Sequence, residues 1–294
     1  MQWNKVSIIG AGLLGGSLGL AIQQRKVASS VYAYVRRPET IADCESTKAV
    51  TKATLDLAEA VTDASLVILC TPLAQMRDLS EKMRPHLKRG TIVTDVGSVK
   101  ETVVRELEPL FASVGCHFVG SHPMAGSEKT GVKSARPGLF ENAVCLVTPT
   151  QRSEPDAVST VQNFWKALGA QTIRLSPELH DDLVSRSSHL PHVVAAELAN
   201  YVLSPVHPKE QSLVCATGFR DTTRIAASSP EMWRDISLAN RKNLIRVLGV
   251  FIEDLQEFQH ALERQDKSTI EEFFANARNR REQWHNRAAN ASPE

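Results

Sequence analysis

The chain has almost no excess charge of either sign, and this excludes some classes of partner. Its 294 residues carry 34 Lys and Arg against 33 Asp and Glu, a formal net charge of +1 at pH 7. Proteins that bind nucleic acid or anionic lipid present a basic surface, so we expect neither nucleic acid nor a membrane as partner. Hydrophobic residues make up 42% of the chain and charged residues 23%, which is typical of a globular protein.

The chain also lacks the cysteine spacing of a disulfide framework or of a zinc site. Its cysteines are odd in number, lie far apart and form no Cys-x-x-Cys pair. This pattern favours reduced thiols and therefore a cytoplasmic location. The five cysteines are Cys44, Cys70, Cys116, Cys145 and Cys215.

No long hydrophobic run is free of glycine. The uncharged stretch 6–22 resembles the apolar part of a signal peptide, but it contains five glycines, which would weaken a membrane helix. Gly10, Gly12 and Gly15 form a Gly-x-Gly-x-x-Gly pattern between a strand-like segment and a helical one. In that context the first glycine permits a tight turn, the second admits a pyrophosphate, and the third lets helix and strand pack closely. The sequence therefore predicts a dinucleotide site.

Strand and helix patterns alternate after this loop and then give way to helices alone. Strands are predicted at 30–35, 64–72, 90–98, 116–120, 142–150 and 171–177, with helices around 73–84, 99–113 and 154–168. The pattern predicts an α/β fold, with an N-terminal Rossmann-type doubly wound sheet followed by an all-helical C-terminal domain. We expect a dinucleotide-binding domain over residues 1–176 and a helical substrate-binding and dimerisation domain over 177–294.

Several motifs occur together and in one order: GAGLLGGS, DVGSVK, SHPMAGSEKTG, LFENAVCLVTPT, SSHLPH and GFRDTTRIAASSPEMWRDI. With these motifs, the chain resembles the prephenate/arogenate dehydrogenases over residues 5 to about 260. The resemblance implies an NAD(P)-linked enzyme of tyrosine biosynthesis. Such an enzyme oxidises the ring carbinol of prephenate or arogenate while the ring carboxylate leaves as carbon dioxide. The products are 4-hydroxyphenylpyruvate and tyrosine, respectively. The sequence does not distinguish the two substrates.

The SHPMAGSEKTG segment contains the candidate base. Hydride leaves the ring carbinol only as the hydroxyl proton is withdrawn, and a neutral imidazole suits that task near pH 7. By resemblance His122 is the catalytic histidine, and Ser98 of DVGSVK is the serine that hydrogen-bonds and orients it. The resemblance also implies that Ser127 and Glu128 line the substrate pocket, with Glu128 gating or ordering it.

Two carboxylates on the substrate call for cations or strong hydrogen-bond donors. By resemblance Arg224 binds a carboxylate, Asp221 positions neighbouring groups and Trp233 forms a pocket wall. His189 and His192 stand three residues apart and resemble a metal-binding pair, but no third ligand accompanies them and we expect no metal. The resemblance assigns the SSHLPH segment to the substrate pocket through Ser188, His189 and His192.

Cofactor choice depends on what is missing at the end of the second strand. NAD-binding folds place an acid there to bind the adenosine ribose, whereas Val35 occupies that position and Arg36 and Arg37 follow it. Guanidinium groups bind a phosphate, so NADP is favoured, although Glu39 keeps NAD use open. The full set expected at the cofactor is Gly10, Gly12, Leu13, Leu14, Gly15, Val35, Arg36, Arg37, Thr71, Pro72, Gly97 and Met124.

The last third of the chain carries a wide apolar stripe. Residues spaced by three and four cover more of the helix than one seam requires, which predicts a homodimer through the helical domain. The stripe consists of Ile245, Val247, Leu248, Phe251, Ile252, Leu255, Phe258 and Leu262.

Two alternative functions stay open on the sequence. A hydroxyacid dehydrogenase of the 6-phosphogluconate type has a Rossmann domain followed by helices and uses a catalytic lysine, for which Lys100 and Lys129 are candidates. A redox sensor that binds NADP without turnover would also use the glycine loop, but would need no set of His122, Ser98 and Arg224.

Overall fold

The computed structural model describes residues 3–127, 129–204 and 209–290. Its larger sheet has six parallel strands in the order β3-β2-β1-β4-β5-β6. The chain runs from β1 outward to β3 and then returns to the other side of β1, so the direction of winding reverses between β1 and β4. The strands are β1 (Trp3–Ile9), β2 (Ala28–Tyr34), β3 (Lys52–Thr54), β4 (Leu66–Leu69), β5 (Ile92–Asp95) and β6 (His117–Phe118).

Helices connect these strands and cover both faces of the sheet. Successive residues of a strand point to opposite faces, and accordingly Ile8 belongs to one hydrophobic cluster and Ile9 to the other. Parallel sheets of this kind are apolar on both sides, which explains the fully buried β4. The helices are α1 (Leu13–Gln24), α2 (Pro38–Thr47), α3 (Leu57–Val61), α4 (Leu73–Met83) and α5 (Glu101–Ala112).

A second sheet of three strands follows, whereas the sequence pattern had predicted a single sheet. The single strand predicted at 116–120 is two strands, because β6 ends at Phe118 and β7 (Gly120–Pro123) pairs antiparallel with β8 (Val144–Thr148). The third strand, β9 (Gln171–Arg174), is parallel to β8 and follows α6 (Pro155–Ala167). This sheet places His122 opposite Leu146.

Beyond Arg174 the described part of the chain contains helices and turns but no strand, so the predicted fold class is confirmed. One turn, Ser185–His189, is a π-helix, a wide turn that is frequent at functional sites. The helices are α7 (Pro177–Val184), α8 (Leu190–Val202), α9 (Thr217–Thr223), α10 (Pro230–Ala239), α11 (Arg241–Glu263) and α12 (Lys267–Asn290).

The chain forms two compact units, Met1–Asn243 and Leu244–Glu294. In the second unit Phe258 of α11 contacts Phe273 of α12, with ring centroids 4.6 Å apart. The domain boundary predicted at residue 176 follows the change from strands to helices and stays a prediction. No helix of the described residues is long and apolar enough to cross a membrane.

Candidate active site

A cavity of about 260 Å³ opens beside the glycine loop, at the carboxyl ends of β1, β2 and β4. Gly10 has a φ of +103°, which L side chains rarely adopt, and its missing Cβ would lie 2.9 Å from the carbonyl oxygen of Cys70. A Cβ on Gly15 would lie 2.0 Å from the carbonyl oxygen of Gly10. Gly12, by contrast, faces open space. The loop is therefore closed against the protein and open toward the cavity.

Two residues that line this cavity have buried polar atoms without a hydrogen-bond partner in the described part of the chain. Thr71 Oγ1 and Gln75 Oε1 are buried, and neither has a hydrogen-bond partner among the described residues. Buried polar atoms without partners are costly, and a ligand with donors and acceptors would satisfy them. With α1 beginning at Leu13 and aiming its N-terminus into the same region, these residues fit a dinucleotide.

The outer edge of the cavity is lined by Val35, Arg36 and Arg37. Both arginines are exposed, and neither forms an ion pair with another described residue. An acid that the sequence pattern did not predict also lines the cavity: the carboxylate of Asp43 pairs with Lys133 Nζ at 2.8 Å. That pairing offsets the negative charge that would otherwise face a bound phosphate.

A second cavity, of about 670 Å³, adjoins the first at the start of α1, since Gly12 lines one and Leu13 the other. Its wall contains many of the predicted site residues together with several that were not predicted. The lining residues are Leu13, His122, Pro123, Met124, Ala125, Gly126, Ser127, Lys129, Ser134, Arg136, Ser188, His192, Arg224, Ile225, Ser228 and Met232.

His122 lines this second cavity and is buried, with only 8% of its surface exposed. Its Nδ1 lies 2.9 Å from Nε2 of His180. The resemblance had given Ser98 as its hydrogen-bond partner, but among the described residues the bond of His122 is to His180. The backbone of Ser98 acts on His189 instead, where it partly opposes the lowering of that histidine's pKa by burial. The role of Ser98 in orienting His122 stays a prediction.

His180 is in turn held by Asp181, with 2.7 Å between His180 Nδ1 and Asp181 Oδ1. The same carboxylate accepts hydrogen bonds from the backbone N–H groups of Lys100, at 2.7 Å, and Glu101, at 3.0 Å. Those two groups belong to the N-terminus of α5, where a negative charge is stabilised by unpaired N–H groups and by the helix dipole. Asp181 thus caps α5 from about 80 residues away in sequence.

Burial keeps these histidines neutral. It lowers the pKa of His122 well below 6.5, and His180, Lys100 and His189 lower it further. Burial, with Lys100 and His189, lowers the pKa of His180 to about 2. The pKa of His189 falls to about 4, also chiefly through burial. A neutral imidazole is the form that accepts a proton, so His122 can act as a base near pH 7.

A buried ion pair lies behind the strand that carries His122. The ammonium of Lys100 pairs with the carboxylate of Asp95, and both side chains are fully buried. Lys100 Nζ also donates to the carbonyl of Ser121 at 3.0 Å, and Asp95 Oδ1 accepts from the N–H of Ser121 at 3.1 Å. Burial raises the pKa of Asp95, while Lys100 and backbone N–H groups oppose that rise. Both peptide groups of the residue before His122 are thereby fixed.

The π-turn and α8 carry the SSHLPH residues. His192 donates from Nδ1 to the carbonyl of Ser188 at 2.9 Å, and its ring stacks on Trp233 at 3.8 Å between centroids. His189 is buried, and its Nδ1 lies 3.1 Å from Nδ2 of Asn240, which leaves Nε2 without a partner among the described residues. Asn240 was not predicted, and it also donates to the carbonyl of Asp181 at 2.8 Å.

The remaining predicted residues are only partly brought together. Arg224, Ser127 and Met124 line the second cavity, whereas Asp221 is exposed on α9 and does not line it. Leu14 packs on the hydrophobic core. A Cβ on Gly97 would contact Asp95 and Leu73. Neither residue lines the two cavities. The prediction for Glu128 falls outside the described residues.

His180 and Asp181 carry no sequence signal of their function. They form a His-Asp pair at a helix start, and their partners His122 and Lys100 lie 58 and 81 residues away. No spacing rule joins positions so far apart in sequence. Among the described residues, no group of three or more His, Cys, Asp or Glu is arranged to hold a metal ion.

Two family domains match the chain in succession. The prephenate dehydrogenase nucleotide-binding domain matches residues 18–174, and the prephenate dehydrogenase dimerization domain matches residues 176–276. The prephenate dehydrogenase of Bacillus subtilis is 34% identical over 285 residues, which cover 94% of this chain and 75% of the relative. The cyclohexadienyl dehydrogenase of Zymomonas mobilis is 33% identical over 273 residues, or 92% of each chain.

Solved structures give the same result over 95% of the chain. The prephenate dehydrogenase of A. aeolicus, in complex with hydroxyphenyl propionate and NAD+, superposes with a TM-score of 0.89 at 30% identity, covering 95% of this chain and 98% of that one. The arogenate dehydrogenase of Synechocystis superposes with a TM-score of 0.80 at 27% identity, covering 95% and 99%. The chain therefore belongs to the prephenate dehydrogenase family, oxidoreductases that carry out NAD(P)-dependent oxidative decarboxylation in tyrosine biosynthesis.

Proposed function

We propose that this chain oxidises prephenate to 4-hydroxyphenylpyruvate, or arogenate to tyrosine, with His122 as the base. The observation that carries the proposal is a buried neutral histidine and an arginine in the wall of one cavity that adjoins the glycine-loop cavity. A bound nicotinamide supplies the hydride acceptor. His122 takes the hydroxyl proton as the carbinol hydrogen leaves as hydride. The bond to the ring carboxylate then breaks, carbon dioxide departs and the ring becomes aromatic.

Substrate carboxylates are proposed to bind at the side of the cavity formed by α8 and the turn that follows α9. Arg224 offers a planar guanidinium, which can hold a carboxylate with two parallel bonds. Arg224 also lowers the pKa of His192, although burial lowers it more, so the two side chains are close enough to act on one ligand. Ser127 and Ser188 line the same cavity and add hydroxyl donors.

The lysine-dependent alternative is weakened by where the lysines lie. Lys100 is fully buried in its pair with Asp95 and does not line the cavity, while Lys129 lines it but is exposed. Structural relatives of the 3-hydroxyisobutyrate dehydrogenase type are 13–15% identical with TM-scores of 0.53–0.57, a likeness that supports the shared fold only. A cofactor-binding sensor without turnover would have no use for a buried base in the second cavity.

One assay separates these functions. The protein is mixed with each nicotinamide cofactor and with prephenate, arogenate or 6-phosphogluconate in turn, and reduced cofactor is followed by its near-ultraviolet absorbance. We expect turnover with prephenate or arogenate only. Turnover with 6-phosphogluconate alone would favour the lysine-dependent reaction, and cofactor binding without any turnover would favour the sensor.

We also propose that NADP is the preferred cofactor. The 2′-phosphate would bind at the outer edge of the first cavity, where Arg36 and Arg37 are exposed and the adjacent Asp43 is neutralised by Lys133. We expect kcat/KM to favour NADP by about tenfold or more, about 1.4 kcal/mol. Arg36→Ser should reduce that ratio, whereas Arg152→Ser, which changes an exposed arginine outside both cavities, should not. A wild-type preference for NAD would contradict the proposal.

We further propose a cytoplasmic homodimer that pairs through residues 177–294. In the second compact unit, Ile252, Leu255 and Leu262 of α11 are large apolar residues that stay exposed, and residues 176–276 match a dimerization domain. Burying such a face in a partner is favourable. The free cysteines fit a reducing compartment. Sedimentation equilibrium at micromolar concentration should give twice the chain mass, and a monomer would contradict the dimer.

A further inference from the structure

A chain of buried, hydrogen-bonded polar groups ends at His122, and the proposed reaction has so far given these groups no function. It runs from the N-terminus of α5 through Asp181 and His180 to Nδ1 of His122, with successive distances of 2.7, 2.7 and 2.9 Å. All three side chains are at least nine-tenths buried, and His180 does not line the cavity. A buried donor or acceptor without a hydrogen-bond partner is costly. Each bond of this chain therefore needs one donor and one acceptor, which fixes the positions of the protons.

The backbone fixes that arrangement. The N–H groups of Lys100 and Glu101 can only donate, so the Asp181 carboxylate accepts from both, one on each oxygen. Burial raises the pKa of Asp181, while the N–H groups of Lys100 and Glu101 at the helix N-terminus oppose that rise and favour the anion. The anion then accepts from Nδ1–H of His180. Nε2 of neutral His180 is left as an acceptor, so Nδ1 of His122 must donate to it. The lone pair of His122 therefore resides on Nε2.

We propose that His180 and Asp181 are positioning residues that hold His122 as the Nδ1–H tautomer, with Nε2 as the base, and that stabilise the imidazolium formed during turnover. The inference rests on the proposed function of His122. In the step itself the hydroxyl proton of the substrate moves to Nε2, and the Nδ1–H bond of His122 stays intact. His180 keeps its own proton and transmits the field of the Asp181 anion to the new positive charge.

The other charged and titratable groups around His122 do not supply this stabilisation. Lys100, at the start of α5, and His189, in the π-turn, both oppose protonation of His122, and the Asp95 anion of β5 is paired with Lys100. Cys145, on the neighbouring β8, is a neutral thiol because burial raises its pKa. Asp181 is thus the anion joined to His122 through a continuous hydrogen-bonded path among the described residues.

Asp181→Asn tests the charge of Asp181. Oδ1 of Asp181 accepts both from the N–H of Lys100 and from Nδ1–H of His180, so the amide oxygen can keep both bonds while the negative charge is lost. We expect kcat to fall by about tenfold or more with little change in KM, because the imidazolium formed during turnover loses the anion that stabilises it. The acid limb of the kcat/KM profile should also move to lower pH, since the imidazolium loses its anion.

A pair of variants at residue 180 separates positioning from packing. His180→Gln retains a side-chain oxygen that can accept from Nδ1 of His122, and an amide N–H for Asp181. His180→Leu fills similar space without either group. We expect the Gln variant to keep at least tenfold more activity than the Leu variant, with equal cofactor affinity. Equal kcat in the two variants would overturn the proposal, even if Asp181→Asn did not fold.

A spectroscopic measurement makes the test independent of turnover. Nitrogen-15 chemical shifts of the His122 ring, read in the protein without substrate, should report Nδ1–H in the wild type and Nε2–H in His180→Leu, which offers Nδ1 of His122 no acceptor. Retention of Nδ1–H in the variant would overturn the inference. If the wild-type protein shows this tautomer but turns over neither prephenate nor arogenate, the proposed function fails while the positioning of His122 stands. Glu178→Gln, an exposed change on the same helix, is the matched control and should leave shifts and kcat unchanged.

Discussion

The two adjoining cavities are built in different ways. The glycine-loop cavity is shaped by backbone, as Gly10 and Gly15 show through their missing Cβ atoms, and its outer edge carries exposed arginines. In the second cavity His122 depends on side chains from distant segments, backed by a buried ion pair and a second buried histidine. A site made from backbone tolerates the loss of side chains around it, whereas a site made from a buried polar network should fail when one member is removed.

The largest loss of stability is expected when the buried ion pair between Lys100 and Asp95 is broken. Lys100→Met would leave the buried Asp95 carboxylate without its counter-ion, and removing one partner of a buried pair costs about 3–5 kcal/mol. Urea unfolding of wild type and variant measures the loss. Lys88→Met removes an ion pair with Asp63 in which both side chains are mostly exposed, and it should leave the free energy of unfolding almost unchanged. Equal losses of unfolding free energy in the two variants would mean that the buried ion pair contributes no more to stability than the exposed one.

Acid should weaken the same region. The unfolded chain binds protons at histidine near pH 6.5, whereas burial lowers the folded pKa of His122, His180 and His189. Their stabilisation is therefore complete above pH 6.5 and is lost as pH falls. Between pH 6.5 and 5.5 each histidine should cost about 1 kcal/mol, about 3 kcal/mol in all.

Unfolding free energies at the two pH values check this expectation. His189→Gln should reduce the loss by one histidine's share. An identical loss in wild type and variant would mean that His189 titrates alike in the folded and unfolded chain.

A substitution of His122 should affect turnover, which we assign to the second cavity, without affecting cofactor binding in the first. His122→Asn removes the proton acceptor but leaves the glycine loop untouched, so kcat should fall by at least about 10²-fold, or about 2.7 kcal/mol. Cofactor affinity, measured by titration calorimetry, should not change. Wild-type turnover in the variant would refute the assignment of His122, and lost cofactor binding would mean that the cavities are not independent.

The smallest effect is expected at the exposed rim of the second cavity. Arg224→Ala should raise KM by about tenfold, about 1.4 kcal/mol, with a smaller change in kcat, because a carboxylate contact present before the transition state mainly affects binding. Arg220→Ala, on α9 and outside the cavity lining, is the control. Steady-state kinetics decide the matter, and an unchanged KM in the Arg224 variant would place that side chain outside the site.

The sequence alone determined the Rossmann-type sheet, the helical remainder and the place of the glycine loop. Strand and helix periodicities are local, and Gly10, Gly12 and Gly15 act through their own backbone, so their roles are readable from a few neighbouring residues. The resemblance carried by motifs such as SHPMAGSEKTG also identified the family, which the domain matches confirmed.

Only the tertiary structure determined the strand pairing and the hydrogen-bond partner of His122. The split of the predicted strand 116–120 into two sheets depends on β7 pairing with β8, a contact that periodicity does not specify. His122 is hydrogen-bonded to His180, which was not among the predicted residues, because α7 brings Asp181 to the N-terminus of α5, 80 residues earlier in the chain. Hydrogen bonds act over about 3 Å in space whatever the separation in sequence, so only the folded chain could select these partners.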